Sequence, residues 1–280
     1  MIDSDTAAEK VHRLHSLLKS MESILIAFSG GVDSTYLIAV SKEILGDDVL
    51  AVTARSETYP TREYEQAKSI AERLKVKQLT ISTKELEYPN FASNPTNRCY
   101  FCKKELFTKL KEIGEKHLFK NIADGSNADD VHDFRPGMQA LKELGIRSPL
   151  KEAGLTKEEI RLLSRQMGLP TWNKPAYACL SSRFPYGMQI DADKLRMVGD
   201  AENILFDLGF RQVRVRHHDT VARIEVYSEE IDAFISRENR ERVVKKFKEI
   251  GYRYVTLDLQ GYRTGSMNEG LQQQDIGQET

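Results

Sequence analysis

Residues 29–34 read Ser-Gly-Gly-Val-Asp-Ser, and an apolar run at residues 24–28 comes directly before them. The apolar run predicts a buried strand, and residues 35–46 predict a helix that a glycine ends. A glycine-rich turn between a strand and a helix is suited to anions, because glycine lets backbone N–H groups approach oxygen closely and the helix dipole favours negative charge. Ser29 and Ser34 add hydroxyl donors. The chemistry that this turn predicts is phosphate binding.

Asp33 places a carboxylate inside this predicted anion site. A carboxylate repels phosphate unless a cation lies between them, so we expect Asp33 to help hold Mg²⁺. The alternative for Asp33 is a helix N-cap, and both roles can coexist. The lysine of the common phosphate loop, G-x-x-x-x-G-K-[ST], is absent here, so the turn indicates a different class of phosphate site.

The three cysteines are the second set of residues suited to chemistry. Cys99 and Cys102 form a C-x-x-C pair, which lets two thiolates bind one metal centre across a tight turn, and Cys179 can supply a third ligand. Three protein ligands leave one position open for chemistry. Four neighbouring cations would offset thiolate charge, namely Arg98, Lys103, Lys104 and Arg183.

Two plainer interpretations of the cysteines stay open. A C-x-x-C pair is also typical of a zinc half-site or a redox pair, and zinc would need a further ligand such as His117 or His132. Cys179 taken alone is typical of a small buried apolar residue.

Composition limits the class of protein. A chain of 280 residues that is 40% hydrophobic and 30% charged is typical of one large globular domain or two ordinary ones. The net charge of -1 argues against a broadly basic nucleic-acid surface. We find no run long enough for a membrane helix and no signal peptide. Three cysteines are too few for a disulfide framework, so we expect a cytoplasmic protein.

The first part of the chain alternates strands and helices. An amphipathic helix around residues 11–18 opens the chain, and residues 49–54, 77–82 and 120–124 predict further strands. Residues 61–74 predict a helix that Thr61 caps. This alternation predicts an α/β fold with a parallel, doubly wound sheet, and ligands bind outside the carboxyl ends of such strands. The turn at residues 29–34, Arg55, and Asp124 with Gly125 all fall at those ends.

The second part of the chain has a different pattern. It predicts a helix, two strands, a long charged helix and a last strand, at residues 191–208, 212–217, 221–227, 231–250 and 252–259. This α-β-β-α-β order predicts a smaller, ferredoxin-like α+β domain. We place the boundary in the segment rich in proline and serine near residue 180. The predicted division is therefore 1–180, 181–264 and a flexible tail at 265–280.

The motif S-G-G-x-D-S resembles the PP-loop of the ATP pyrophosphatase superfamily. Together with Cys-Leu-Ser-Ser-Arg-Phe-Pro-Tyr-Gly at residues 179–187, it resembles the LarE family. These are sulfurtransferases of nickel-pincer nucleotide synthesis that act on pyridinium-3,5-biscarboxylic acid mononucleotide. The resemblance implies cleavage of ATP between the α- and β-phosphates with Mg²⁺, adenylation of a substrate carboxylate, release of pyrophosphate, and then sulfur transfer.

The resemblance also assigns roles to residues. Arg183 is expected to pair with a phosphate or the substrate carboxylate, and Arg214 and Arg216 to bind the phosphate of the substrate. The alternative for these two arginines is a charged, solvent-facing strand edge, and Glu202 is a weaker substrate candidate. The implied catalytic residues are Cys179, Asp33, Ser182 and Arg183, and the implied nucleotide-binding residues are Ser29, Gly30, Gly31, Asp33, Ser34, Arg55, Asp124 and Gly125.

The number of cysteines separates two types within the family. In members with a single cysteine, the residue matching Cys179 gives up its own sulfur. This chain resembles the three-cysteine members, in which the residues matching Cys99, Cys102 and Cys179 hold a [4Fe-4S] cluster that carries sulfide to the substrate. We therefore expect sulfide or a sulfur-donor protein as partner, a small-molecule substrate, no nucleic acid, no membrane, and a homo-oligomer.

Other functions stay open at this point. A tRNA 2-thiolation enzyme of the same superfamily also uses adenylation and a three-cysteine cluster, but it needs a broad basic surface. An ammonia-using PP-loop ligase would leave the cysteines without a role. A nucleotide-binding regulatory module with structural zinc would need the turn to bind ATP without cleaving it. Metal analysis separates these classes, because iron and sulfide support the LarE-type reaction or the tRNA 2-thiolation enzyme, no metal supports the ligase, and zinc supports the regulatory module.

Overall fold

The computed structural model describes residues 4–131, 136–263 and 265–266. The helices are α1 (Ser4–Met21), α2 (Val32–Leu45), α3 (Thr61–Arg73), α4 (Pro89–Ala92), α5 (Arg98–Lys116), α6 (Pro136–Glu143), α7 (Pro149–Glu152), α8 (Lys157–Gln166), α9 (Ala192–Asp207), α10 (Ile231–Ile235) and α11 (Arg237–Ile250). The strands are β1 (Ile24–Ala27), β2 (Val49–Arg55), β3 (Lys77–Ser82), β4 (Asn121–Ala123), β5 (Val213–His218), β6 (Val221–Val226) and β7 (Tyr254–Leu257).

The described residues form two compact units. The first unit takes its residues from Met1–Glu85 and Asn97–Tyr177, and the second from Leu86–Thr96 and Ala178–Thr280. Among the described residues, no helix combines the length and the apolar character that a membrane crossing requires. Of the predicted tail, only Gly265 and Ser266 lie within the described residues.

The first unit is built on a parallel sheet in the order β3-β2-β1-β4. Successive side chains of a strand point to opposite faces, and both faces of this sheet are covered. Ile24 and Ile26 pack in one apolar cluster with α1, α2, α3 and α8, whereas Leu25 packs in a second with α5 and α6. The predicted α/β fold with a doubly wound parallel sheet is therefore confirmed.

The start of α3 differs from the prediction. Thr61 is the first residue of the helix and does not cap it, because Pro60 holds the extended N-cap position. The carbonyl of Pro60 accepts the first helical hydrogen bond, from the N–H of Tyr64 at 3.2 Å. Proline has the fixed φ that suits this position, and its missing N–H is no loss there.

The second unit carries a three-stranded sheet in the order β5-β6-β7. β5 and β6 are antiparallel, with Arg216 opposite Arg223, and β6 and β7 are parallel. Helices α9 and α11 pack on this sheet through an apolar cluster, so the predicted smaller α+β unit is present. The long helix predicted over residues 231–250 is wrong in one respect. It is divided at Ser236, whose extended backbone and side chain begin α11 by accepting the N–H of Asn239.

The segment Leu86–Thr96 belongs to the second unit although it lies within the sequence of the first. Asn94 holds it there. Its side chain is fully buried and donates to the carbonyls of Phe184 at 3.3 Å and Pro185 at 2.7 Å. Its backbone has a φ of 56°, in the left-handed region that asparagine tolerates better than most residues.

We predict that Asn94→Gly lowers the free energy of unfolding by about 1–3 kcal/mol, because the carbonyls of Phe184 and Pro185 lose their buried donor. Glycine keeps the positive φ accessible, so the loss reports the side chain alone. Chemical denaturation measures it. The matched control is Lys75→Gly, at an exposed residue with a φ of 53°, which should leave stability unchanged or raise it. An Asn94→Gly protein as stable as the original chain would contradict this account of the segment.

Candidate functional site

The turn at residues 29–34 is held by its own hydroxyl groups. The hydroxyls of Ser29 and Ser34 are 3.2 Å apart, the N–H of Gly31 donates to Ser29 Oγ, and Ser34 Oγ donates to the Gly31 carbonyl. Gly31 is the N-cap of α2, so the helix begins one residue later, at Val32. The turn therefore presents the N-terminus of a buried helix, as an anion site requires.

Two glycines let other parts of the first unit approach this turn closely. Gly30 has a φ of 68°, and a Cβ on it would lie 3.0 Å from the Cβ of Ala67 in α3. Gly125, in the loop after β4, would place a Cβ 3.0 Å from the backbone nitrogen of Ser34. Side chains at either position would push the turn away from its neighbours. Of the predicted nucleotide contacts, Gly125 is therefore beside the turn.

Asp33 lies in the first turn of α2 and is not its N-cap, so the capping alternative is wrong. Its carboxylate forms an ion pair with Lys157 and accepts the amide of Asn127 at 3.4 Å. A closed ring of hydrogen bonds results. The N–H of Lys157 donates to Asp129 at 2.8 Å, and the N–H of Asp129 donates to Asn127 Oδ1 at 2.9 Å. The ring joins α2, the loop after β4 and the start of α8.

A second ion pair contacts the turn through the Gly30 carbonyl. Lys174 Nζ is 2.7 Å from a carboxylate oxygen of Glu63 and donates to the Gly30 carbonyl at 3.0 Å. Tyr59 donates its hydroxyl to the carbonyl of Ser29, and burial raises the pKa of that phenol. Both ion pairs line a pocket of about 180 Å³ that also includes Ser29, Gly31, Val32, Tyr59, Pro175, Ala176 and Tyr177.

Asp124 and Arg55 do not line this pocket. Asp124 is buried and accepts the hydroxyls of Ser126 and Ser148, the latter at 2.7 Å. It is also 3.7 Å from the ammonium of Lys103. The guanidinium of Arg55 lies 5.5 Å from the centre of the Tyr64 ring. The carboxylate of Asp124 thus shapes the loop that carries Gly125, and its contacts are with the protein.

Cys99 and Cys102 lie on helix α5, so the tight turn expected between them is wrong. Residues at i and i+3 share one face of a helix, and a helix N-terminus favours thiolate. Cys99 is exposed, and Cys102 and Cys179 are partly exposed. Across the described ranges, no three His, Cys, Asp or Glu side chains are placed to hold a metal ion, and His132 lies outside those ranges. The three-cysteine site stays a prediction.

The backbone of Cys179 is fixed by Arg183 and Ser182 in the second unit. The Cys179 carbonyl accepts three donors: the N–H and hydroxyl of Ser182 at 3.0 and 2.8 Å, and Arg183 Nη1 at 3.1 Å. Arg183 is fully buried and forms a two-pronged ion pair with Glu202 at 2.7 and 2.8 Å. Burial would raise the pKa of Glu202, but the neighbouring Arg183 and Arg214 hold it below its ordinary value.

Arg216 lines a second pocket, of about 160 Å³, together with Ser182, Arg183, His218, Arg223 and Ser266. Its guanidinium binds the buried carboxylate of Glu225 at 2.7 and 2.9 Å and the Ser182 carbonyl at 2.8 Å. Burial lowers the pKa of His218, and the charges of Arg223 and Arg216 lower it further. Three arginines line the pocket beside this imidazole, and each is paired with a carboxylate of Glu202, Glu225 or Asp258, so an anion bound here would share those guanidinium groups.

Arg214 lies outside this second pocket. Its guanidinium donates to the Val213 carbonyl at 2.8 Å and stacks 5.1 Å from the ring centre of Tyr262. Arg214 and Arg216 are only 3% and 7% exposed. The alternative of a solvent-facing strand edge is therefore wrong for both, because packing on β5 covers them.

The family is decided by similarity along the whole chain. The chain is 38% identical over 267 residues to the pyridinium-3,5-bisthiocarboxylic acid mononucleotide synthase of Lactiplantibacillus plantarum, covering 95% of this chain and 96% of that enzyme. The chain belongs to the LarE family. An uncharacterized protein of Synechocystis sp. is 44% identical over 262 residues, which cover 94% of this chain and 98% of the relative. The family model of queuosine biosynthesis protein QueC matches residues 23–95.

These similarities confirm the family predicted from the sequence, and with it an enzyme of the ATP-dependent sulfurtransferase class. The QueC match contains the turn at residues 29–34, so ATP binding at a PP-loop is supported as well. The iron–sulfur type within the LarE family, the Mg²⁺ ion and the individual site residues stay predictions.

The sequence did not single out the two lysines of the first pocket. Lys157 carries one signal that points to it, because it occupies the first position of α8, where the helix dipole disfavours a cation. A lysine at such a position indicates a partner elsewhere, and the partner is Asp33. Lys174 has no comparable signal, since it stands in a loop before proline.

We predict that Gly30→Ala lowers stability by more than the roughly 1–2 kcal/mol expected for a left-handed alanine, because its Cβ also meets Ala67. The matched control is Gly145→Ala, with the same φ of 68° and nothing within 4 Å of its added Cβ. Thermal unfolding measures the stability of the two variants, and calorimetric titration with a non-cleavable ATP analogue measures their nucleotide affinity. Only Gly30→Ala should lose nucleotide affinity. Equal effects of both changes would refute the close approach of α3.

We predict that Glu202→Gln lowers the free energy of unfolding at pH 7 by about 3 kcal/mol, because Arg183 is left buried without a counter-charge. The folded pKa of Glu202 is lowered, so its contribution is complete above the ordinary carboxyl pKa and is lost as pH falls through the folded pKa. The difference from the original chain should therefore shrink in acid. Glu241→Gln, in an exposed pair with Arg237, is the control and should change little. A difference in free energy of unfolding that stays constant down to acid pH would contradict a stabilising ion pair between Glu202 and Arg183.

Proposed function

We propose that this chain catalyses ATP-dependent sulfur transfer to pyridinium-3,5-biscarboxylic acid mononucleotide in the synthesis of the nickel-pincer nucleotide cofactor. The observation that carries the proposal is the phosphate-binding turn with a carboxylate, Asp33, inside it. The similarity to the L. plantarum synthase over 95% of this chain supplies the substrate. The two pockets, one lined by two lysines and the other by three arginines, all of them in ion pairs, agree with a reaction between two phosphorylated molecules.

The first pocket is the nucleotide site in this proposal. The backbone N–H groups at Gly30 and Gly31 and the hydroxyls of Ser29 and Ser34 bind phosphate oxygens. Asp33 is the Mg²⁺ ligand. Its carboxylate fits that role because it already faces a cation, the ammonium of Lys157, and oxygen ligands are those that Mg²⁺ prefers. When bound, Mg²⁺ neutralises charge on the phosphates.

The first step joins the two substrates. A carboxylate oxygen of the pyridinium compound attacks the α-phosphorus of ATP, and the bond from that phosphorus to the bridging oxygen breaks. Pyrophosphate leaves with the bonding electrons, and the substrate carboxylate becomes an acyl adenylate. The turn at residues 29–34 holds the phosphates in place, because aligned N–H donors stabilise the charge that develops there.

The second pocket binds the phosphate of the pyridinium mononucleotide in this proposal. Arg216 is the principal contact, since its positively charged guanidinium lines the pocket. Within the described part of the chain, four of its five N–H groups bind Glu225, Ser182 and Ser266, which leaves one N–H to donate to a phosphate oxygen.

Arg214 and Glu202 take part indirectly. The Arg214 guanidinium stacks on Tyr262, and Glu202 accepts the N–H of Val215 at 3.0 Å, so both stabilise β5 and keep Arg216 in register.

Sulfur transfer follows adenylation. A sulfur nucleophile attacks the acyl carbon, the bond to AMP breaks, and AMP leaves with its electrons, which yields a thiocarboxylate. We assign Cys179 to the delivery of this sulfur. Ser182 and Arg183 fix its position through hydrogen bonds to its carbonyl. Arg183 is a positioning residue here, since its guanidinium is committed to Glu202 and the backbone.

Cys99, Cys102 and Cys179 are the residues that would hold a [4Fe-4S] cluster. The C-x-x-C pair fits, since both thiols share one face of α5 near its N-terminus, where thiolate is favoured. When bound, the cluster supplies the sulfur that the product gains. The proposal also includes a reducing location, the cytoplasm. It takes sulfide or a sulfur-donor protein as the source of sulfur, and a homo-oligomer as the assembly.

The test measures two products from one reaction. Iron and sulfide are supplied anaerobically, and the chain is mixed with ATP, Mg²⁺ and the pyridinium substrate. Pyrophosphate release reports adenylation, and mass spectrometry reports the thiocarboxylate. We predict that Asp33→Asn abolishes both products. Cys99→Ala, Cys102→Ala and Cys179→Ala should each lose iron and thiocarboxylate while they still release pyrophosphate, because adenylation precedes sulfur transfer.

Other outcomes would overturn parts of the proposal. Thiocarboxylate from Cys99→Ala, together with a single turnover and a Cys179 lighter by one sulfur, would replace the cluster by a sacrificial cysteine. Thiolation of tRNA in place of the pyridinium compound would assign the alternative superfamily activity. Pyrophosphate release that needs ammonia, without any sulfur in the product, would indicate a ligase.

A further inference from the structure

The pocket at the PP-loop is electrically balanced by its own side chains. Lys157 and Lys174 supply two positive charges, and Asp33 and Glu63 supply two negative ones. All four line the same pocket. An ATP molecule brings about four negative charges to this place at neutral pH, so at least one of these ion pairs has to rearrange for a cation to reach phosphate.

The two lysines are held very differently. Lys174 has a side chain that is only 10% exposed, and it contacts both Glu63 and the carbonyl of Gly30. Moving it would disturb the turn itself. Lys157 has a side chain that is 33% exposed, and among the described residues its ammonium pairs with the carboxylate of Asp33. Lys157 is the cation that can move at low cost.

The backbone of Lys157 is fixed while its side chain is not. Its N–H donates to Asp129, and the capping box formed by Thr156 and Glu159 anchors the start of α8. A lysine side chain has four rotatable carbon bonds, so its ammonium can turn from one partner to another while the helix stays in place. The backbone of Lys157 therefore stays in place at the start of α8 while its ammonium group can move.

We propose that Lys157 exchanges partners when nucleotide binds. Without nucleotide its ammonium neutralises Asp33, and with nucleotide Mg²⁺ takes Asp33 while Lys157 turns to a phosphate oxygen of ATP. Lys174 stays with Glu63 and Gly30 and keeps the turn in shape. The inference rests on the proposed function for the identity of the nucleotide and the metal, and it assigns a specific role to a residue outside the S-G-G-x-D-S motif.

The exchange has a consequence that a merely structural ion pair lacks. Lys157 competes with Mg²⁺ for Asp33 but assists the nucleotide. Its removal should therefore weaken nucleotide binding at saturating Mg²⁺ and at the same time lower the Mg²⁺ concentration that is needed. The two effects have opposite signs, so they cannot both come from general damage to the pocket.

The experiment is calorimetric titration with α,β-methylene-ATP, which resists cleavage between the α- and β-phosphates, over a series of Mg²⁺ concentrations. We expect Lys157→Gln to bind the analogue roughly tenfold more weakly at saturating Mg²⁺, since one charge-assisted hydrogen bond is lost. The half-saturating Mg²⁺ concentration should fall several-fold. The control is Lys42→Gln, whose ion pair with Asp47 lies in the same unit, away from the pocket, and it should change neither quantity.

A second variant keeps the test decisive if Lys157→Gln does not fold. In Asp33→Asn the lysine is released from its carboxylate, so binding of the analogue without Mg²⁺ should be stronger than in the original chain. Where Lys157→Gln folds, adding it to that variant should remove the gain. Equal affinities of Lys157→Gln and the original chain at saturating Mg²⁺, or no gain in Asp33→Asn, would overturn the inference alone. Failure of the original chain to bind the analogue would overturn the proposed function with it.

Discussion

A carboxylate beside a phosphate-binding turn has to be neutralised, and the first unit is organised around that constraint. Asp33 stands one residue inside the helix that gives the turn its positive dipole, so it is stabilised by the helix and opposed to phosphate. The ring through Lys157, Asp129 and Asn127 supplies a cation and connects three segments that are distant in sequence. Gly125 lets the loop after β4 come close enough to α2 for the ring to form, and Gly30 lets α3 approach the turn.

The second unit uses the same principle with arginine. Glu202 and Glu225 are almost fully buried, and each binds a guanidinium through both oxygens. Buried ion pairs add little net stability, but breaking one is costly. Their value here is position. The first pair directs Arg183 to the backbone of Cys179, and the second holds Arg216 at the wall of its pocket. A flexible lysine would not fix these angles, since arginine has a planar fork.

Local patterns predicted the seven described strands, but they missed the five helices α4 to α8 and the partners that are distant in sequence. β3 at Lys77–Ser82 agrees with its prediction residue for residue, because strand signals are local. Helix α5 was not predicted, because its C-x-x-C pair also suits a turn. The pair of Asp33 and Lys157 spans 124 residues, and the sequence shows only the unfavourable position of a lysine at the start of a helix. The break of the long helix at Ser236 was missed for a local reason, since serine is also common on exposed helix faces and does not by itself indicate a helix end.

The membership of Leu86–Thr96 in the second unit matters for the order in which the protein is made. The acceptors of the Asn94 side chain lie 90 and 91 residues further along the chain. At about 5–20 residues per second, a ribosome needs on the order of 5–20 s to supply them. During that interval Phe91, buried in the finished protein, has no second unit to enter. The segment therefore cannot join its unit until the chain beyond residue 185 exists, and a gene fragment starting at residue 178 encodes an incomplete unit.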